Sequence, residues 1–427
     1  MKQRLALFAL TSIALAMTPG GVWTRDTTAA AGTAQTIPVT GPPAPDLASF
    51  DHVITDLMKK WDVPGAGVAV MKDGRLILAR GYGYADRQNR EEVRPNSLFR
   101  LASCTKAFTA AAILTLVQAG RLNLEDKAFR LLGVQPPPGA TVDRRIYDIT
   151  IRNLLNHSGG WDRDKTFDPM FRSTEIAQAR GVPAPANQMA IIRYMMGKPL
   201  QFRPGSQYSY SNFGYCVLGR IIEKVGGQNY ESYVRSHVLQ PAGVLCMRLG
   251  HTLLRERAPN EVRYYEFPGQ GETQSVFPGV GRVPWPYGAW DIEAMDSHGG
   301  WIASAVDVLR FIRALDQGRI INKRLVNVMV SRPPAPLWAG QDTWYAFGWQ
   351  VRNADGGQNW WHQGSLDGTS TIMVRAANGL TWAALYNTRP KNSDGFGGEM
   401  DSAMWTAVNQ VKRWPGGDLF PEFVGCR

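Results

Sequence analysis

The chain has 427 residues, 44% apolar and 19% charged, with 14 tryptophans, a composition that places it among globular proteins with ample material for a large core. Its net charge is +11, but the basic residues form no cluster interleaved with aromatics, so a nucleic-acid partner is not expected; the charge reads as solubility, with attraction to an anionic surface such as cell wall or membrane as the alternative. The length predicts two domains, or one domain carrying a large insertion.

From its start the chain reads first as a targeting segment. Lys2 and Arg4 precede an apolar run from Leu5 to Met17, with a small-residue site at Ala14-Leu15-Ala16. This layout predicts a secretory signal peptide over residues 1–16 and a secreted or periplasmic product, with an uncleaved N-terminal anchor as the alternative. Residues 17–47, rich in Gly, Ala, Thr and Pro, read as a linker, and residues 413–427 as a C-terminal tail. No other apolar run is long enough to cross a membrane, so no stable transmembrane segment is expected after signal cleavage. Four cysteines in so long a chain do not make a disulfide framework. Cys104 and Cys216 read as buried small residues, while Cys246 and Cys426 could pair if the C-terminus folds back.

Ser49 to Lys60 has helical spacing, through Val53, Leu57 and Met58. Ala66–Met71 and Arg75–Gly81 are β-like runs about Asp73-Gly74, a hairpin signal. A long apolar helix is predicted from Ser103 to near Gly120, then short helices at Ile151–Leu155 and Met189–Met196. Asn212 to Val225 reads as a helix ended by Gly226-Gly227, followed by a loop-rich stretch from His251 to Met295. Ser304 to Leu315 is a helix with Asp307 placed for a near capping box. The chain then returns to β character at Tyr345–Val351, Ser370–Arg375 and Leu380–Tyr386, and ends with a helix over Met400–Val411. Strands at both ends with helices between them predict one sheet built from the two termini, about 48–100 and 340–412, with a helical region, about 101–335, inserted into it.

Three groups of residues carry chemistry. Ser103 and Lys106 are three apart, so on a helix they are neighbours on one face. Packed against apolar surface the lysine is desolvated, which lowers its pKa towards a working base, and the helix N-terminus favours a forming oxyanion. Tyr210-Ser211-Asn212 follows a turn and precedes a helix, so a phenol for proton transfer and a carboxamide for holding a carbonyl oxygen can enter one cleft. His-x-Gly occurs at His157, His298 and His362; only His362-Gln363-Gly364-Ser365 falls in the C-terminal β region, where an edge strand could line that cleft, and the other two read as loop residues.

Together Phe99-Arg100-Leu101-Ala102-Ser103-Cys104-Thr105-Lys106, Leu154-Leu155-Asn156-His157-Ser158-Gly159-Gly160, Phe202-Arg203-Pro204-Gly205, Tyr208-Ser209-Tyr210-Ser211-Asn212-Phe213-Gly214-Tyr215 and Gly299-Gly300-Trp301 resemble the class C β-lactamase-like family of penicillin-recognising serine hydrolases. The resemblance runs through nearly all of residues 50–412 and implies an α+β fold, a mainly antiparallel sheet flanked by N- and C-terminal helices with an inserted helical domain, here over residues 48–412. By position it implies Ser103 as the acylated nucleophile, Lys106 as its partner, Tyr210 as proton relay and Asn212 as substrate-binding amide. The backbone N–H groups of Ser103 and Ser365 would form the oxyanion hole, with His362 and Gly364 beside them facing the substrate.

Acyl transfer of this kind needs no metal or cofactor, and its partner is a small-molecule ester, amide or peptide. Neither His-Glu-x-x-His nor Gly-x-Ser-x-Gly occurs. Efficient β-lactamases of the family usually carry Lys where His362 stands, and relatives with His resemble DD-peptidases, D-amino-acid peptidases and esterases. The expected function is therefore carboxylesterase or D-amino-acid/DD-peptidase-like hydrolysis, with weak β-lactam turnover at most. A true class C β-lactamase, or a non-catalytic penicillin-binding or sensor protein, is the alternative. With an ordinary imidazole pKa of about 6.5, His362 is expected to gain charge as pH falls from 7 to 6 and to read substrate charge.

Overall fold

The structure, a computed structural model, describes residues 36–426. The predicted signal peptide and residues 17–35 of the linker lie outside the described residues. Among the described residues no helix is long and apolar enough to cross a membrane.

The main sheet contains β1 (Val39–Thr40), β2 (Gly65–Lys72), β3 (Arg75–Asp86), β4 (Glu91–Glu92), β5 (Thr343–Tyr345), β6 (Gln350–Ala354), β7 (Gly357–Leu366), β8 (Thr369–Arg375) and β9 (Leu380–Tyr386). Their order is β1-β3-β2-β9-β8-β7-β6-β5, with β4 on β3, and every pairing is antiparallel. The β2–β3 hairpin turns at Asp73-Gly74, both in the left-handed region (φ 49° and 77°), which matches the twist of two right-twisted strands. The β2–β9 ladder joins the two ends of the chain, so everything between β4 and β5 is an insertion.

Five helices frame this sheet: α1 (Ala48–Trp61), α2 (Thr105–Gln118), α3 (Asn212–Gly226), α4 (Ala305–Asp316) and α5 (Ser393–Asn409). Side chains alternate across the pleat. In β2, Ala66, Val68 and Val70 face one core, and Ala69 and Met71 the other; in β9, Trp382, Ala384 and Tyr386 oppose Ala383 and Leu385. The first core is closed by α1 and α5 through Phe50, Ile54, Leu57, Phe396 and Met404. Trp382 and Trp405 meet there edge to face at 4.7 Å. The second core lies under the insertion, with α2 at its centre. An apolar helix without a polar stripe must be surrounded, and twelve of the fourteen α2 residues are buried.

The structure differs from the sequence reading in several places. Tyr345–Val351 is not one strand: Gly348, at φ 74°, turns the chain between β5 and β6, and a Cβ there would lie 2.7 Å from the Lys106 carbonyl on α2. Helix α5 begins at Ser393 instead of Met400, because Asn392 caps Gly395 and Phe396 packs on Trp61 and Tyr386, contacts that three glycines in its first turns hide from a pattern search. The end of the segment read as linker belongs to the sheet, where Val39 and Thr40 pair with Tyr82 and Gly81. The segment read as a tail is docked: Leu419 N–H donates to Leu76 O, Phe420 is buried, and Cys426 is bonded to Cys246 across 180 residues. Finally, β7 is not an edge strand but has an open side, because β6 pairs with it only through Trp361 while β8 continues to Leu366.

Candidate active site

That open stretch, His362 to Leu366, faces the turn that carries Ser103. Ala102 lies in the left-handed region at φ 47°, a strained conformation for a residue with a Cβ, and it bends the chain from Arg100 into the 3-10 turn Ala102–Cys104 that opens α2. The approach to β7 is close. A Cβ on Gly364 would lie 2.3 Å from both Leu101 O and Thr371 Oγ1, so only glycine lets the strand and the turn meet. Between them opens a cavity of about 390 Å³ lined by Ser103, Tyr210, Asn212, His362, Gly364 and Ser365, together with Arg163, Phe171, Gln350 and Arg389.

Lys106 lies behind Ser103, fully buried. Its Nζ is 3.1 Å from Ser103 Oγ, 2.8 Å from Asn212 Oδ1 and 3.0 Å from His298 O. Burial, with no carboxylate in contact, holds its pKa well below the usual lysine range; Asp168 pulls it back up and Arg163 pushes it further down. A neutral amine has two N–H donors and one lone pair. The two carbonyl-type oxygens can only accept, so they take the N–H groups, and the lone pair is left for the Ser103 hydroxyl.

Asn212 is free for this role because Ser211 caps α3, accepting from Gly214 N–H at 3.1 Å. The Asn212 amide is oriented from its other end, where Nδ2 donates to Asp168 Oδ2 at 2.7 Å. Tyr210 presents one side to the cavity. Burial pushes its phenol well above the ordinary range, against a lowering by hydrogen bonding to Ser103, so it is a protonated donor at neutral pH. Lys106 Nζ and the Arg163 guanidinium lie 4.8 and 4.9 Å from its ring centre.

His362 lines the cavity, but its ring does not behave as expected from the sequence. Nδ1–H donates to Gln363 O at 2.6 Å and Nε2 lies 3.0 Å from the Tyr345 hydroxyl, which accounts for both nitrogens in the neutral ring. Burial, with Lys106 nearby, holds its pKa down to about 3. The expected titration between pH 7 and 6 is therefore corrected: His362 is neutral there.

Sequence reasoning brought together Ser103, Lys106, Tyr210, Asn212, His362, Gly364 and Ser365, and the structure gathers all seven around or directly behind one cavity. It missed Asp168 and Arg163, which no motif marks. It also passed over two loop histidines. His157 is buried with its ring 4.3 Å from that of Tyr210 and 4.5 Å from that of Tyr345, and its Nδ1 accepts from Ser211 N–H. His298 supplies the carbonyl that holds Lys106. The recurrence of His-x-Gly was a signal for both.

Known proteins resemble this chain in sequence and in fold. The beta-lactamase family model matches residues 50–401. Penicillin-binding protein 4* of Bacillus subtilis (strain 168) is 30% identical over 313 residues, covering 72% of this chain and 64% of that protein. Protein flp of Staphylococcus aureus (strain MW2) is 28% identical over 329 residues, covering 76% and 59%. The chain thus spans less than two thirds of the length of these relatives. Among solved structures, D-amino acid amidase from Ochrobactrum anthropi SV3, complexed with D-phenylalanine, superposes with a TM-score of 0.67 at 23% identity, over 85% of this chain and 99% of that one. EstCE1, described as a hydrolase with promiscuous acyltransferase activity, does so with a TM-score of 0.65 at 20% identity, over 84% and 98%. At such identities the likeness is one of fold. With its own motifs set in that fold and the family match covering most of its length, the chain belongs to the beta-lactamase family of serine hydrolases.

Proposed function

We propose that the protein hydrolyses an ester or amide through a covalent acyl-enzyme on Ser103, as a carboxylesterase or a D-amino-acid or DD-peptidase-like enzyme. The observation that carries this reading is the coordination of Lys106, whose two N–H groups are committed to Asn212 Oδ1 and His298 O, leaving its lone pair for Ser103. Ser103 Oγ attacks the substrate carbonyl carbon while its proton passes to Lys106. The carbonyl oxygen gains charge near the backbone N–H groups of Ser103 and Ser365. Collapse of the adduct breaks the bond to the leaving alcohol or amine, which takes the Tyr210 proton. Water then attacks the acyl carbon, losing its proton to the Tyr210 phenolate, and as the adduct collapses Ser103 Oγ leaves with the proton held by Lys106, which restores all three groups.

Efficient β-lactam turnover is the less favoured reading, because a neutral His362 supplies no fixed charge where the family's β-lactamases usually have lysine. A non-catalytic binding protein is disfavoured by the intact Ser103, Lys106 and Tyr210. The test is a fluorophosphonate probe followed by a side-by-side panel of short-chain p-nitrophenyl esters, D-amino-acid amides, a D-Ala-D-Ala peptide and a cephalosporin. One phosphonyl group on Ser103 and turnover of an ester or amide are expected; labelling that survives Ser103→Ala would sink the reading.

A further inference from the structure

The Asn212 amide can face Lys106 in two ways, and only one is productive. In the observed orientation Oδ1 accepts a Lys106 N–H. Turned over, Nδ2 would offer a hydrogen to the amine, the lone pair would accept it, and Ser103 would lose its base. What decides between the two lies on the far side of the amide. Asp168 Oδ2, which as a carboxylate can only accept, takes the Nδ2–H at 2.7 Å. Asp168 is itself held: its Oδ1 caps the turn Pro169–Phe171 by accepting from Met170 N–H at 3.1 Å, and its side chain is only 12% exposed. The Arg163 guanidinium stands 3.8 Å from Oδ2 and over the Tyr210 ring, so the carboxylate lies between a neutral amide and a partly exposed cation at the cavity wall.

We propose that Asp168 is a positioning residue for the Ser103–Lys106 pair: it locks the Asn212 carboxamide so that the Lys106 lone pair stays on Ser103, and its charge supports the ammonium formed when the proton moves. This rests on the hydrolase reading above and goes beyond it, since Asp168 touches neither Ser103 nor Lys106. The other groups around Lys106 do not compete for the role. His157, His298 and His362 are each held neutral by burial, the Cys104 thiol is pushed up to about 12, and the Tyr210 and Tyr215 phenols are pushed up as well. Asp168 and Arg163 are the charges that act on the amine, with opposite signs.

The experiment is the pH profile of the second-order rate of Ser103 phosphonylation by a fluorophosphonate, on the full chain, in wild type, Asp168→Asn, Asp168→Ala and Arg163→Gln, with near-UV circular dichroism to check packing. Asp168→Asn keeps a capping side chain and an acceptor oxygen but removes the charge. Its acid limb should move to lower pH, by about 0.5–1 unit, and that of Arg163→Gln should move to higher pH. Asp168→Ala also frees the amide, and its plateau rate should fall roughly 10- to 100-fold. KM for a neutral ester should change much less than kcat, and Asp168→Glu should recover part of the rate. Limbs that stay in place or shift together, or an Asp168→Ala plateau within about twofold of wild type, overturn the assignment. A wild type that takes no label fails the hydrolase reading and the assignment with it; a labelled wild type with unshifted variants fails the assignment alone.

Discussion

At its first turn, helix α3 sets Asn212 against the Lys106 amine; about two turns further on, the same helix carries Arg220 into the interior beside Asp296. Both cations are buried, yet their surroundings differ in one respect. Arg220 has the Asp296 carboxylate in direct contact, with side chains 9% and 7% exposed, and its guanidinium stays charged, its pKa raised by that neighbour against burial. Among the described residues Lys106 touches only neutral oxygens, and the Asp168 carboxylate reaches it through an intervening amide. A buried cation in contact with an anion is a structural ion pair; in one given only neutral acceptors, burial lowers the pKa with no anion to offset it.

The comparison breaks most sharply at Lys106. Lys106→Met should lower kcat for an ester by roughly 10²–10⁴-fold while leaving the fold intact. Its stability should also depart from wild type in a pH-dependent way. The folded-state pKa is depressed below 10.5, so the unfolded chain binds the extra proton and wild type loses stability as pH falls from about 10 towards the folded pKa. Urea unfolding at pH 9 and pH 7 should therefore show the methionine variant gaining on wild type at the lower pH; a constant difference would mean Lys106 is charged in the folded protein.

At Arg220, in the middle of the same helix, the expectation reverses. Asp296→Ala takes away the buried partner of the Arg220 guanidinium and leaves only the partly exposed Glu223 carboxylate, 3.3 Å from Nε, so it should cost about 3 kcal/mol of stability, read as a shift in urea midpoint. A loss under about 1 kcal/mol would mean water reaches Arg220. The Cys246–Cys426 bond provides a stability control away from both charges, since neither cysteine lines the cavity. Cys246→Ser should cost about 2–4 kcal/mol with kcat of the folded enzyme unchanged, and a matching loss of kcat would couple the C-terminal clamp to the cleft.

The smallest expected effect concerns His362. Held neutral down to about pH 3, it cannot gain charge between pH 7 and 6. The ratio of kcat/KM for an anionic and a neutral ester should stay flat across that window. A ratio that climbs as pH falls, and no longer does so in His362→Gln, would restore the charged histidine expected from the sequence.

Much of the architecture was legible because it depends on local signals. The Asp73-Gly74 turn, the Ser304–Asp307 capping box and the Gly227 stop of α3 each act within a few residues, and each stands where its pattern predicts. Helix α5 and the β5–β6 turn were misread because their determinants are distant: Trp61 and Tyr386 for one, the backbone of α2 for the other.

The site divides in the same way. Ser103, Lys106, Tyr210 and Asn212 could be named from sequence because spacing on a helix or around a turn fixes which side chains are neighbours, and the family motifs mark them. Protonation states could not. That His362 is neutral follows from burial and from Lys106 nearby, and the lowered pKa of the Lys106 amine follows from burial in a pocket whose wall includes the carbonyl of His298, 192 residues away. Asp168 had no motif at all, being defined only by its contact with Asn212 across 44 residues. Residue type and spacing determine which groups can react, whereas the pKa of each follows from solvent exclusion and from neighbours brought in by the fold, so the chemistry of this cleft was decided only when the chain closed over it.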